Sequence, residues 1–176
     1  METERFMLRS LELTDSPRIE ELAGDREIAS TTLSIPHPYP AGGAEPFIRA
    51  TQEAAAKGNG YVFAITRKED GLLVGVIGLN VHPEFKRAEM NYWVGRPYWG
   101  QGVATEAARA MLRFGFEELG MNKIYAAFLT RNPASGKVMA KMGMTYEGVL
   151  RQHVIKWGQY EDVGYYSILR SEYEKA

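Results

Sequence analysis

The sequence predicts a mixed α+β / α/β fold, in which a mostly antiparallel, twisted β-sheet is flanked by helices. Residues 61–66 and 72–79 are rich in β-branched and aromatic residues, and the Asp-Gly pair in residues 68–71 suits the tight turn of a hairpin between them. Residues 102–119 then place apolar side chains on one helical face, and a strand-like run follows at residues 123–129. A strand that returns after a helix joins parallel neighbours, so one parallel pair is expected in the sheet.

The first third of the chain supplies an edge strand, two helices and a long loop. Residues 5–13 alternate apolar and polar side chains, as an edge strand does. Residues 14–24 offer an N-cap, a first-turn proline and a short apolar stripe that ends at glycine, which predicts a short helix. Three prolines within residues 34–43 exclude regular structure there, and loops of this length are often functional. The alanine-rich residues 44–57 predict a second helix that Gly58 ends.

The remaining elements follow the same logic. Residues 87–94 alternate in the manner of a strand. Asn132 is placed as a helix cap with proline at the next position, and the helix is expected over residues 133–142. Residues 146–156 and 160–169 form two long strand-like runs joined by a three-residue turn. They predict a second hairpin at the end of the chain.

Composition limits the classes of function. A chain of 176 residues, 45% of them hydrophobic, suits one domain over residues 1–176. It has no cysteine, which excludes disulfides, a thiolate nucleophile and cysteine-bound zinc. The net charge of -1 gives no basic footprint for nucleic acid. The three histidines, His37, His82 and His153, lack metal-ligand spacing, so no metal is expected.

The first residues are acidic and lack an apolar core, and no later segment approaches the length of an apolar membrane span. We therefore expect a cytoplasmic protein without a membrane partner. Monomer and homodimer both remain open.

The stretch at residues 93–106 has the features of a phosphate cradle, because a strand ends there and a glycine-rich turn opens a helix. Gly100 and Gly102 let a ligand approach the backbone amides at the helix start. A P-loop lysine is missing, and a dinucleotide fingerprint would need glycine where Thr105 stands. A turn of this kind can also precede a helix without any ligand, so the local pattern leaves the occupant open.

Motifs elsewhere in the chain narrow the interpretation. Eight segments occur in a characteristic order: residues 3–9, 35–40, 91–94, 98–107, 132–135, 141–144, 146–151 and 157–162. In order and spacing they resemble the GNAT superfamily of acyl-CoA-dependent N-acetyltransferases. Within it they are most similar to the branch that acetylates the N-termini of ribosomal proteins.

The resemblance implies a GNAT-like sheet with a splayed parallel pair at the cofactor site, and acetyl-CoA as co-substrate with its pyrophosphate in the cradle. The superfamily pattern R/Q-x-x-G-x-G/A corresponds to residues 99–104, with Trp99 departing from it, and Arg96 supplies nearby charge instead. The candidate cofactor-binding residues are Trp93, Val94, Gly95, Arg96, Gln101, Gly102, Val103, Ala104, Thr105, Asn132 and Ser135. Asn132 has two possible roles, as cap and as a partner of pantetheine. Lys137, Lys141 and Arg131 are candidates for the 3′-phosphate or simply surface charges.

Direct acetyl transfer needs a base for the amine and an acid for the leaving thiolate. Many relatives use a tyrosine as the acid, but Met139 occupies the matching position here. The resemblance therefore assigns Ser135 as the acid, and its alternative is an ordinary first-turn hydroxyl. Glu89 is the candidate base, acting through water, and its alternative is a solvated strand carboxylate.

The acceptor is expected to bind between the proline loop, the 44–57 helix and the final hairpin. The candidate contacts are His37, Tyr39, Phe47, Trp157 and Tyr160. A protein or peptide N-terminal amine is the first expectation for the acceptor. A small amine such as a polyamine, an amino sugar or an antibiotic is the alternative, and a non-catalytic acyl-CoA sensor is a third possibility.

Overall fold

A computed structural model describes residues 1–175. In this part of the chain seven strands form one sheet in the order β1-β2-β3-β4-β5-β7-β6, and every neighbouring pair is antiparallel except β4 and β5. The expected mixed sheet with one parallel pair is confirmed. The strands are β1 (Phe6–Ser10), β2 (Gly60–Arg67), β3 (Leu73–His82), β4 (Arg87–Val94), β5 (Lys123–Leu129), β6 (Thr145–Lys156) and β7 (Gln159–Leu169).

Six α-helices accompany the sheet within residues 1–175, and four of them were predicted. The helices are α1 (Ser16–Ala23), α2 (Arg26–Thr31), α3 (Ala44–Ala56), α4 (Val103–Arg113), α5 (Pro133–Lys141) and α6 (Arg170–Tyr173). The sequence pattern missed α2 and α6 because helices this short do not complete a readable apolar period. Among residues 1–175, no helix is both long enough and apolar enough to span a bilayer.

Helices cover the sheet on two faces and create two cores. Met111 of α4 is fully buried in a core shared with Leu79 of β3 and Ile124 of β5. After α4, residues Phe114–Glu118 continue as a π-helical turn. Gly115 suits the close packing of this turn, since a Cβ there would lie 2.5 Å from Ile124 Cδ1 and the isoleucine side chain would have to shift. The second core, on the other face, joins α1 and α3 to β2 and β3.

The parallel pair is short, and this shapes the site. Strands β4 and β5 pair only from Arg87 opposite Lys123 to Glu89 opposite Tyr125. The rest of β4 stays bonded to β3, while β5 continues along β7 as far as Leu129 opposite Val163. The two strands therefore part after Glu89 and leave a gap in the middle of the sheet, which is the splayed pair that the sequence motifs implied.

Candidate active site

The glycine turn before α4 has the geometry of an anion cradle. Gly100 and Gly102 have φ values of 74° and 78°, in the left-handed region that glycine adopts without strain. The Glu106 amide donates to the Gly102 carbonyl over 3.0 Å, which is a hydrogen bond of the first turn of α4. The amides that precede Glu106 in this turn have no acceptor within the helix. These amides, from Gly102 to Thr105, also lie at the positive end of the helix dipole.

A cleft of 360 Å³ lies in front of this turn, and we call it the cradle cleft. Its described lining includes the side chains of Lys137 and Lys141 but no carboxylate, so its electrostatic character favours an anion. The backbone amides and the two lysines fit the pyrophosphate and phosphate groups of coenzyme A. The predicted residues that line it are Trp93, Val94, Gly102, Val103, Ala104, Thr105, Asn132 and Ser135.

Three of the candidate residues direct their side chains to partners outside the cradle cleft. The Gln101 amide nitrogen turns back and donates to the Pro97 carbonyl over 3.0 Å. Arg96 is exposed and its guanidinium is 3.9 Å from the Asp25 carboxylate, so it does not supply charge to the cleft. Arg131, expected near the 3′-phosphate, binds Glu161 over 2.7 Å instead. In each case a nearer polar group within the protein takes the side chain.

Of the candidate cofactor-binding residues at the end of β4, only Val94 turns its backbone toward the gap. The Gly95 amide donates to the Val74 carbonyl over 2.8 Å, so Gly95 is bonded toward β3. Because backbone direction alternates in an antiparallel pair, Trp93 also points its polar backbone groups at β3, while Tyr92 and Val94 point theirs at the gap. Trp93 and Gly95 therefore do not offer backbone hydrogen bonds to a ligand in the gap, although Trp93 lines the cleft.

Trp99 departs from the superfamily pattern, and the structure shows what it does instead. Its indole Nε1 donates to the Val94 carbonyl over 2.6 Å. The ring therefore anchors the end of β4 to the glycine turn, and 43% of it remains exposed beside the cradle cleft. The polar residue of the family is replaced here by a structural hydrogen bond.

Ser135 has a partner that the sequence did not reveal, the hydroxyl of Tyr92. The two hydroxyl oxygens lie 3.0 Å apart, and the Tyr92 hydroxyl is also 3.3 Å from the Ser135 carbonyl. Burial raises the pKa of Tyr92 to about 12, while its hydrogen bond with Ser135 works in the opposite direction. The phenol therefore stays protonated near neutral pH. The sequence did hold one indication of this pair. Tyr92 lies two positions from Met90 and from Val94, so it shares their buried strand face, and a tyrosine hydroxyl that is buried needs a hydrogen-bond partner.

A second cleft, of 520 Å³, lies on the other side of the gap, and we call it the loop cleft. Tyr39 and Phe47, two of the candidate acceptor contacts, line it. Its described lining holds no charged side chain; its side-chain amides are those of Asn80 and Asn91. The loop and cradle clefts share five lining residues: Thr31, Thr32, Tyr92, Trp93 and Ser135. The Tyr92–Ser135 pair thus lies where the two clefts meet.

The other three predicted acceptor contacts do not line the loop cleft. Trp157 is 46% and Tyr160 67% exposed, and the rings of His37 and Trp157 approach each other outside the cleft, with centroids 6.3 Å apart. Trp157 occupies a positive-φ position, 49°, in the hairpin turn of the edge strand β6, which leaves its ring at the surface. The hairpin still holds the loop, because Lys156 Nζ donates to the Ile35 carbonyl over 3.0 Å.

Glu89 lies near the loop cleft but outside its lining. In the sheet it stands opposite Asn80, which does line the cleft, and it shares its strand face with Asn91. Burial raises the pKa of Glu89, and the nearby His82 partly offsets this. The carboxyl is therefore half-buried and easier to protonate than an ordinary glutamate, instead of being a fully solvated strand residue.

Asn132 stands at the N-cap position of α5, but its side chain makes no capping hydrogen bond. Its amide nitrogen points to the Thr31 carbonyl at 3.5 Å, at the border of the cradle cleft. The expected role as a side-chain cap is wrong. The position beside the cleft is compatible with the other role, contact with pantetheine.

The chain matches the acetyltransferase (GNAT) domain family over residues 5–145 and belongs to that family. It is an acetyl-CoA-dependent N-acetyltransferase, and this family membership argues against the third possibility, a non-catalytic acyl-CoA sensor. It is 31% identical to the uncharacterized N-acetyltransferase p20 of Bacillus licheniformis, over 97% of this chain and 96% of the relative.

Two solved structures show the same fold with different acceptors in their descriptions. Spermidine N-acetyltransferase from Vibrio cholerae, in complex with CoA and spermine, gives a TM-score of 0.83 at 24% identity and covers 97% of this chain and 98% of its own. RimL, a ribosomal L7/L12 alpha-N-protein acetyltransferase in complex with coenzyme A, gives a TM-score of 0.87 at 18% identity over 95% of both chains.

Proposed function

We propose that the protein acetylates the α-amine of a peptide or protein whose first residue is uncharged. The observation that carries this proposal is the neutral lining of the loop cleft. An acceptor with several positive charges would lose hydration there without meeting a carboxylate in the lining of the cleft. RimL, whose fold this chain shares, is described as acting on a protein α-amine.

The same lining argues against the polycationic small amines. Spermidine or an aminoglycoside binds best where carboxylates meet its extra ammonium groups. A small primary amine with an apolar body remains the second candidate, because Ile19, Val76 and Met90 give the loop cleft apolar walls. Such an amine and a neutral peptide N-terminus need the same environment near the nitrogen, so they are separated by assay.

The cradle cleft is the proposed place of coenzyme A. The amides from Gly102 to Thr105 bind the pyrophosphate, Lys137 and Lys141 lie within the same cleft for phosphate charge, and the gap-facing backbone of Tyr92 and Val94 pairs with the pantetheine arm. The acetyl group is then delivered at the junction of the two clefts.

Acetyl transfer at this junction requires no acyl-enzyme. The amine nitrogen bonds to the thioester carbonyl carbon, the C–S bond breaks, and the nitrogen loses one proton through water toward Glu89. The leaving sulfur takes a proton from the Ser135 hydroxyl, and in this step the Tyr92 hydroxyl, 3.0 Å away, serves as donor to the Ser135 oxygen. Solvent later restores the proton to Ser135 and removes the one on Glu89, so one proton has moved from nitrogen to sulfur.

The pH dependence of kcat, measured at saturating acceptor so that ionisation of the free amine does not enter, tests the role of Glu89. Because burial raises its pKa above the ordinary 4.5, the base form is lost at a higher pH than for a solvated glutamate as the pH falls. We expect an acidic limb in the wild-type profile that Glu89→Gln abolishes, together with a fall in the plateau rate. An unchanged limb in Glu89→Gln would assign it to another group.

The acceptor proposal is tested with synthetic peptides that vary only in their first residue. After incubation with acetyl-CoA, mass spectrometry should show acetyl addition to peptides with a neutral first residue, much less to those that begin with Lys or Asp, and none to copies with a blocked α-amine. Asn91→Asp, which adds a carboxylate to the loop cleft, should shift preference toward cationic amines. Turnover of small amines alone would support the second candidate.

A further inference from the structure

We propose that Arg5 is a positioning residue that orients the cradle for the pyrophosphate of coenzyme A. Its Nη1 donates to the Gln101 carbonyl over 3.0 Å, which ties the start of the chain to the glycine turn. The rest of the guanidinium is held by Glu106, at 2.8 Å from Nε and 2.7 Å from Nη2. The contact therefore joins the segment before β1 to the turn and first helical residues about one hundred positions later.

The contact fixes one peptide plane of the cradle. In a trans peptide the carbonyl of one residue and the N–H of the next point in opposite directions. Arg5 holds the Gln101 carbonyl on its own side of the turn, in a depression that Arg5 and Gln101 line together. The Gly102 N–H must then point the other way, and Gly102 lines the cradle cleft.

The turn needs such a clamp because glycine stands on both sides of Gln101. Gly100 and Gly102 have positive φ and impose little barrier to rotation of the peptide between them. The Glu106 carboxylate is itself held in place by hydrogen bonds. It accepts from the Thr3 hydroxyl at 2.7 Å and from the Arg5 backbone amide at 2.8 Å, in addition to the Arg5 guanidinium. The clamp therefore consists entirely of contacts within the protein, and this is what preorganisation requires.

The inference rests on the proposed placement of the pyrophosphate at the start of α4, and its test uses a truncated donor. In Arg5→Ala, KM for acetyl-CoA should rise about tenfold with kcat nearly unchanged, as expected for one weakened bond to a charged group. Acetyl-pantetheine lacks the phosphates, so its kcat/KM should be the same in the variant and in the wild type. Lys68→Ala, which removes the nearby ion pair with Glu2 but no cradle contact, should match the wild type with both donors.

Three outcomes overturn the proposal: an unchanged KM for acetyl-CoA in Arg5→Ala, an equal loss with both donors, or a comparable loss in Lys68→Ala. Arg5→Lys provides a second variant if Arg5→Ala folds poorly. One ammonium cannot bridge Gln101 and Glu106 as a guanidinium does, so an intermediate KM is expected, and a wild-type KM would count against the clamp. Thr105→Glu reports separately on the placement itself: if it weakens coenzyme A while Arg5→Ala does not, only the role of Arg5 fails.

Discussion

Replacing Ser135 with alanine should lower kcat on the order of 100-fold, with a much smaller change in KM for acetyl-CoA. The expected loss is large because Ser135 lies where the cradle and loop clefts meet, in the place where the leaving sulfur needs a proton. Met139, at the position of the usual tyrosine, is buried and cannot substitute. Steady-state kinetics with release of free thiol measures both constants.

Tyr92→Phe tests whether the two hydroxyls act as a unit. It should lower kcat less than Ser135→Ala, and the double variant should be no slower than Ser135→Ala alone, since Tyr92 acts through Ser135. Ser30→Ala, which removes a hydroxyl from α2 outside both clefts, is the control and should behave as the wild type. A kcat that Ser135→Ala leaves unchanged would remove Ser135 from the mechanism.

Thr105→Glu should weaken coenzyme A binding by about 100-fold, because it places a carboxylate in the cradle cleft beside the phosphates. The variant separates binding from folding. Thr105 is the third residue of α4, where an acidic side chain stabilises the helix through its dipole. Titration calorimetry should therefore show lost affinity while the thermal midpoint stays the same or rises.

Thr105→Gln is the matched control, since it has nearly the shape of glutamate without the charge. It should retain most of the affinity for coenzyme A, which would attribute the loss in Thr105→Glu to charge. Wild-type affinity in Thr105→Glu would mean that the phosphates bind elsewhere.

The cradle was readable from sequence because its determinants are local. Gly100 and Gly102 are required by backbone conformation, and the helix that follows shows its own period. Side-chain direction was not readable in the same way. Gln101 and Arg96 turn to nearby partners, which depend on how α2 and the turn pack.

The chemistry at the junction depends on contacts between distant parts of the chain. Ser135 was identified from its motif, but its contact with Tyr92 spans 43 positions and exists only because β4 and β5 part. The neutral character of the loop cleft was also hidden, since its walls come from the proline loop, from helices and from several strands. Trp157 and Tyr160 are aromatic, yet they lie at and beside the turn between β6 and β7 and are exposed there.

A competition assay tests the central claim most directly. One reaction would contain acetyl-CoA, a peptide with a neutral first residue and an internal lysine, and an equal concentration of spermidine. Mass spectrometry should find the acetyl group on the peptide α-amine, with the lysine and spermidine nearly unmodified. Preferential acetylation of spermidine or of the lysine side chain would contradict the proposal that the neutral loop cleft selects an uncharged peptide N-terminus.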